Sequence, residues 1–72
     1  MITVITNEGC TQCEMTKKLL QNKGIGYEEI LADEAEEYVA KAKKGVLPLL
    51  FDEKDRLICE GYEEALKYYE HI

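Results

Sequence analysis

Apolar positions along the chain fall into short runs whose period changes from segment to segment. Met1 to Ile5 alternates loosely, is rich in β-branched residues and gives way to the polar, glycine-containing Thr6-Asn7-Glu8-Gly9, which predicts a strand and a loop. Cys13, Thr16, Leu19, Leu20 and Lys23 then follow a helical spacing, and Gly24 can take the left-handed conformation that ends a helix, so a helix is expected from about Thr11 to Lys23. Tyr27 to Leu31 reads as a second strand. One helix separates it from the first, the length of a right-handed βαβ crossover, so the two strands should be parallel.

Asp33 followed by Glu36 has the spacing of a capping box, and Ala35, Tyr38, Val39 and Ala42 share one face of the helix this predicts, which Gly45 stops. Val46 to Phe51 is apolar apart from Pro48, Asp52 to Asp55 carries turn chemistry, and Arg56 to Cys59 runs apolar again, a β-hairpin. Gly61 precedes Glu63, Glu64, Ala65, Leu66, Tyr69 and Ile72, a terminal amphipathic helix with acids in its first turn. The order βαβ, α, ββ, α describes an α/β protein with a four-stranded mixed sheet flanked by helices. At 72 residues there is interior enough for one core, so residues 1–72 are expected to form a single domain.

Charge narrows the partners. Nine Lys and Arg stand against fifteen Asp and Glu, a formal −6 spread over the whole chain. Phosphate binding needs clustered cations, and the basic groups Lys17-Lys18 and Lys41, Lys43, Lys44 fall in the last turns of predicted helices, where they suit the negative end of the dipole. Nucleic acid is therefore not expected. No apolar stretch approaches the roughly 20 residues that cross a bilayer, so neither is a membrane. The opening MITVITNEGC shows no basic leader or signal-length apolar run, which points to the cytoplasm.

The candidate chemistry lies in Cys10-Thr11-Gln12-Cys13. In a reducing compartment a close CxxC is more often a metal site or a redox couple than a permanent staple. Cys10 should occupy a helix N-terminus, where unpaired backbone N–H groups stabilise a thiolate, while Glu8 and Glu14 oppose the charge; its pKa should fall moderately below that of a free thiol. Cys13, one turn in and on the apolar face, should stay protonated. These halves suggest a nucleophile, Cys10, and a resolving thiol, Cys13. The rival is a metal module using Cys10 and Cys13 with Cys59 and the lone His71, a set that lacks a second close pair. His71 is otherwise a solvated or dipole-pairing residue. Cys59 otherwise reads as a buried strand-end residue or a regulatory thiol, and Tyr38, Tyr62, Tyr68 and Tyr69 as core and rim.

CxxC after a first strand, Leu47-Pro48 opening the third, and Gly61 before the last helix together resemble the thioredoxin-fold proteins, and the small size resembles glutaredoxins and NrdH-redoxins. The resemblance covers nearly the whole chain and implies a three-layer sandwich, a cis bond before Pro48, and a substrate segment held by Thr11, Gln12, Leu47, Pro48, Gly61 and Tyr62. It implies a thiol-disulfide oxidoreductase and electron carrier, with no cofactor beyond a reversible Cys10–Cys13 disulfide, acting as a monomer. Glutathione-linked members carry a proline after the first cysteine, a Lys or Arg before the motif and a Gly-Gly…Asp stretch; here those places hold Thr11, Asn7-Glu8 and Cys59-Glu60-Gly61-Tyr62-Glu63. The Cys-x-Gln-Cys form is similar to NrdH-redoxins, which take electrons from thioredoxin reductase and pass them to ribonucleotide reductase. Their Trp-Ser-Gly-Phe segment aligns with Cys59-Glu60-Gly61-Tyr62, keeping the glycine and an aromatic but not the Trp. A glutathione-dependent glutaredoxin and a metal module stay open as alternatives.

Overall fold

The structure, a computed structural model, describes residues 1–71. Strand β1 (Ile2–Thr6) leads into helix α1 (Thr11–Asn22), strand β2 (Tyr27–Leu31), a single 3-10 turn (Ala32–Glu34), a short helix α2 (Glu36–Val39), strands β3 (Leu49–Phe51) and β4 (Leu57–Glu60), and helix α3 (Tyr62–Tyr69). The sheet order is β2-β1-β3-β4. β1 pairs parallel with β2, Val4 opposite Glu29, and antiparallel with β3, Val4 opposite Leu50; β3 pairs antiparallel with β4. This is the mixed sheet and element order that the apolar pattern predicts.

Alternation along the central strands divides the interior into two halves. Val4 and Leu50 face one side and pack with Leu20 of α1, Cys59 of β4, and Ala65 and Tyr69 of α3. Their neighbours Ile5, Leu49 and Phe51 face the other side, with Ala35 and the half-buried Tyr38. Removing a side chain such as the fully buried Leu20 or Leu50 from water contributes about 2 kcal/mol each, so both central strands need cover on both faces. Helices on each face of the sheet make three layers, an α/β thioredoxin-like fold.

Local chemistry closes the elements. α1 ends as its sequence predicts: Gly24 sits at φ 70, its N–H donates to Gln21 O at 3.1 Å, and Ile25 N–H donates to Leu20 O at 2.9 Å, the paired bonds of a glycine-capped helix end. In the hairpin turn Asp52 Oδ1 accepts from Lys54 N–H at 2.8 Å and Arg56 N–H at 3.0 Å. Burial pushes the Asp52 carboxyl up less than those bonds and the Arg56 charge pull it down, with the backbone bond to Arg56 foremost; its pKa is lowered.

Several boundaries differ from the sequence reading. The capping box does not form: Asp33 lies inside the 3-10 turn, and α2 starts after Ala35, which makes no side-chain cap. Ala35 is buried against the sheet at φ −130, so packing interrupts the helix where local capping would have begun it. α2 also stops early. Ala42 N–H turns back to Val39 O, and the following N–H groups are taken by a side chain from β4, described below. Strand β3 begins at Leu49, after rather than before Pro48. Lys17 and Lys18 lie in the body of α1, whose last turn holds no basic residue, and Lys17 pairs with acids instead of the helix dipole. β1 and β4 each lie one position later than expected, and the expected helical Ile72 lies outside the described residues.

Candidate functional site

β1 delivers the chain to a turn at Asn7-Glu8-Gly9, where Glu8 N–H donates to Asn7 Oδ1 at 3.0 Å and Gly9 takes φ 71. Cys10 follows in an extended conformation as the N-cap of α1. Its Sγ accepts the Cys13 N–H at 3.1 Å, the position a serine or aspartate oxygen holds in an ordinary cap, and its carbonyl accepts from Glu14 N–H at 3.2 Å. Cys10 and Cys13 are joined as a disulfide with their Cα atoms 5.2 Å apart. The two halves differ in access: Cys10 is partly exposed, whereas Cys13 is 1% exposed and sits among core residues.

The other residues of the expected site converge on the same corner. The Leu47–Pro48 bond is cis and Pro48 is buried. Pro48 O accepts from Gly61 N–H at 2.8 Å, which ties the start of α3 to the proline turn. Gly61 is buried at φ 84, and a Cβ there would lie 3.0 Å from Val46 Cγ1 and 3.4 Å from Gln12 Oε1, so only glycine suits the position. Gln12, between the two cysteines, reaches across: its Oε1 accepts from Tyr62 N–H at 3.1 Å and satisfies one of the open donors of α3. Thr11 is exposed beside Cys10, and Leu47 and Tyr62 are half-buried.

Glu60 was not singled out by the sequence, because a strand-end acid ordinarily faces water. Here it is 5% exposed and accepts backbone N–H bonds from Lys43 at 2.9 Å, Lys44 at 3.0 Å and Gly45 at 2.8 Å. Burial alone would push its pKa up; the bonds from Lys44, Lys43, Gly45 and Val46 outweigh that, and it is lowered. The carboxylate therefore holds the segment that leads to Leu47-Pro48.

Charges around the motif are partly answered. Glu14 pairs with Lys17 at 3.0 Å, and Lys17 also meets Glu29 Oε2 at 3.1 Å, which accepts from the buried Thr6 hydroxyl at 2.6 Å. The hydrogen bond from Thr6 and the Lys17 charge lower the Glu29 pKa against the effect of burial, and the bonds to Glu14 and Glu29 raise that of Lys17. Glu14 thus opposes a thiolate less than its sequence position implies.

The metal set is not assembled. Cys59 is buried on β4 and His71 is exposed beside Glu70, and among the described residues no group of three or more His, Cys, Asp or Glu is placed to hold a metal ion. Burial, then the Glu64 and Glu60 charges, push the Cys59 thiol up to about 12, as suits a core residue.

The glutaredoxin family model matches residues 2–48, from β1 through the cysteine pair to the cis proline. The chain belongs to the glutaredoxin family. Two relatives named glutaredoxin-like protein NrdH, from Lactococcus lactis subsp. lactis and subsp. cremoris, are each 44% identical over 41 residues. The matched region spans 57% of this chain and 57% of each relative. A solved glutathione S-transferase from Sinorhizobium meliloti 1021 superposes with a TM-score of 0.81 at 18% identity, covering 99% of this chain and 32% of that one, and shares the fold. The family match includes the Cys10–Cys13 pair, and the relatives that align with it are named for NrdH. No described helix of the chain is long and apolar enough to cross a membrane.

Proposed function

We propose that this chain is a small dithiol-disulfide oxidoreductase, an electron carrier that reduces disulfides of protein substrates through Cys10 and Cys13. The observation that carries the reading is the asymmetry of the pair, a partly exposed sulfur at a helix N-cap beside a buried one. In the reduced protein the Cys13 N–H and the open N-terminal donors of α1 favour Cys10 as thiolate. Cys10 Sγ attacks one sulfur of the substrate disulfide; a Cys10–substrate disulfide forms and the other substrate sulfur leaves as a thiolate. Cys13 passes its proton to the substrate thiolate already released, attacks Cys10 Sγ and expels the second substrate sulfur as a thiolate. The substrate has gained two electrons and the protein is left with the Cys10–Cys13 disulfide described above. A reductase returns two electrons to close the cycle.

The Cys-Thr-Gln-Cys motif and the acids at Glu8 and Glu63 favour a protein reductant such as thioredoxin reductase over glutathione, whose carboxylates they would repel. The resemblance of Cys10-Thr11-Gln12-Cys13 to the NrdH-redoxin motif favours ribonucleotide reductase as one acceptor, and the cytoplasm is the expected setting. Two coupled assays in parallel separate the donors: NADPH oxidation with thioredoxin reductase, and with glutathione plus glutathione reductase. Turnover with the first is expected. Preferential turnover with glutathione would move the chain to the glutathione-dependent group, and turnover with neither, for a protein shown to cycle its two thiols, would refute both donors.

A further inference from the structure

An open groove of about 500 Å³ begins at Gln12, inside the cysteine motif, and runs between α1, the segment before Leu47-Pro48 and the first turn of α3. Its apolar wall is Met15, Val46 and Tyr62, of which Met15 is 42% and Val46 39% exposed. Its polar wall is acidic. Lys44 pairs with Glu64 and also feels the charge of Glu60, whose carboxylate is held by backbone N–H groups, while Glu63 is exposed in the first turn of α3. The groove therefore carries more negative than positive charge, on a chain whose net charge is −6.

We infer that this groove seats the polypeptide next to the substrate's disulfide and selects one with a basic side chain, lysine or arginine, beside its cysteine. The inference rests on the oxidoreductase reading and adds the chemistry of the substrate to it. A chain bound between Val46 and Tyr62 sets its neighbouring residues against Glu63 and Glu64, where the lining cation Lys44 is already paired with Glu64 and Lys18 lines a separate hollow that shares Met15 and Tyr62, so an acidic neighbour there meets like charge. A basic neighbour gains the contact and is also drawn toward the anionic surface during approach. The apolar wall accounts for affinity shared by all substrates, and the acids for the choice among them.

The test uses the full chain, reduced with dithiothreitol and freed of it, mixed in single turnover with three short synthetic peptides. Each peptide holds one intramolecular disulfide flanked by arginine, serine or glutamate; two protein thiols are lost for each peptide disulfide reduced. The arginine peptide is expected to react about 10-fold faster than the glutamate peptide at low ionic strength, and the gap should shrink to about 2-fold near ~0.5 M salt. Glu63→Lys and Glu63→Gln should each reduce that preference, the lysine variant more, while Glu37→Lys on α2 across the sheet should reduce it less. Equal rates for all three peptides would overturn the inference and leave the oxidoreductase reading intact. An effect of Glu37→Lys as large as that of Glu63→Lys would also overturn it, because net charge rather than the groove would then be selecting. No reaction with any peptide would overturn the oxidoreductase reading and the inference with it.

Discussion

Three cysteines, chemically alike in the sequence, are separated by where the fold puts them. Cys10 caps a helix and is partly exposed, Cys13 is buried one turn later, and Cys59 lies in the core with its thiol pushed up to about 12 by burial. The spacing of the first two made their pairing legible, since a CxxC at a strand-to-helix junction leaves few alternatives. For Cys59 the sequence allowed a core residue, a ligand or a sensor, and only its neighbours decide. Because a neutral thiol is a poor nucleophile, alkylation of the reduced, folded protein at about pH 8 is expected to modify Cys10 first and spare Cys59 until denaturant is added, followed by mass spectrometry of the digested chain. Early modification of Cys59 would contradict the burial argument.

At the level of elements, motifs that depend on neighbours in sequence were readable and those that depend on distant partners were not. Gly24 ending α1 and Asp52 closing the hairpin turn needed only local chemistry. The second helix forms as expected, but its bounds do not match because Ala35 is pulled into the core and the N–H groups of Lys43 to Gly45 go to Glu60, fifteen to seventeen residues away in sequence. Gly61 belongs to the same class. Its glycine was noticed, but the reason for it, a positive φ with Val46 and Gln12 pressed close, comes from three separate segments. Gly61→Ala is expected to lower stability by about 1–3 kcal/mol, from backbone strain and the clash with Val46. A thermal melt unchanged from that of the unmodified chain would show that the corner has more room than its contacts imply.

For the molecule as a whole, the acids that hold the fold predict how it responds to pH. Glu60 and Glu29 both have folded pKa values below those of an unfolded carboxylate, so each contributes stability that is full above the ordinary value of about 4.3 and is lost as pH falls through the folded value. Acid should therefore loosen two supports of the site at once: the clamp on the segment before Leu47-Pro48, and the Thr6–Glu29–Lys17 link beside α1. Glu60→Gln keeps one acceptor oxygen and loses the charge, and is expected to cost about 1–3 kcal/mol near neutrality. The cost should shrink as pH falls below the ordinary carboxylate value and on through the lowered native one. Urea melts at several pH values check this, and a cost independent of pH would mean that the Glu60 charge is not what holds the loop. The overall architecture was legible because period, glycine placement and the order of elements agree, and family membership confirms it; the substrate and the electron donor depend on surfaces that no short motif encodes.

The proposed roles, attack by Cys10 and resolution by Cys13, separate when reduced Cys13→Ser and Cys10→Ser proteins are each mixed with a disulfide substrate and the products weighed by intact-protein mass spectrometry. The Cys13→Ser protein is expected to accumulate a one-to-one mixed disulfide through Cys10 that dithiothreitol reverses, and the Cys10→Ser protein to remain unmodified. Equal adduct on both variants, or an adduct carried by Cys59, would contradict the assignment.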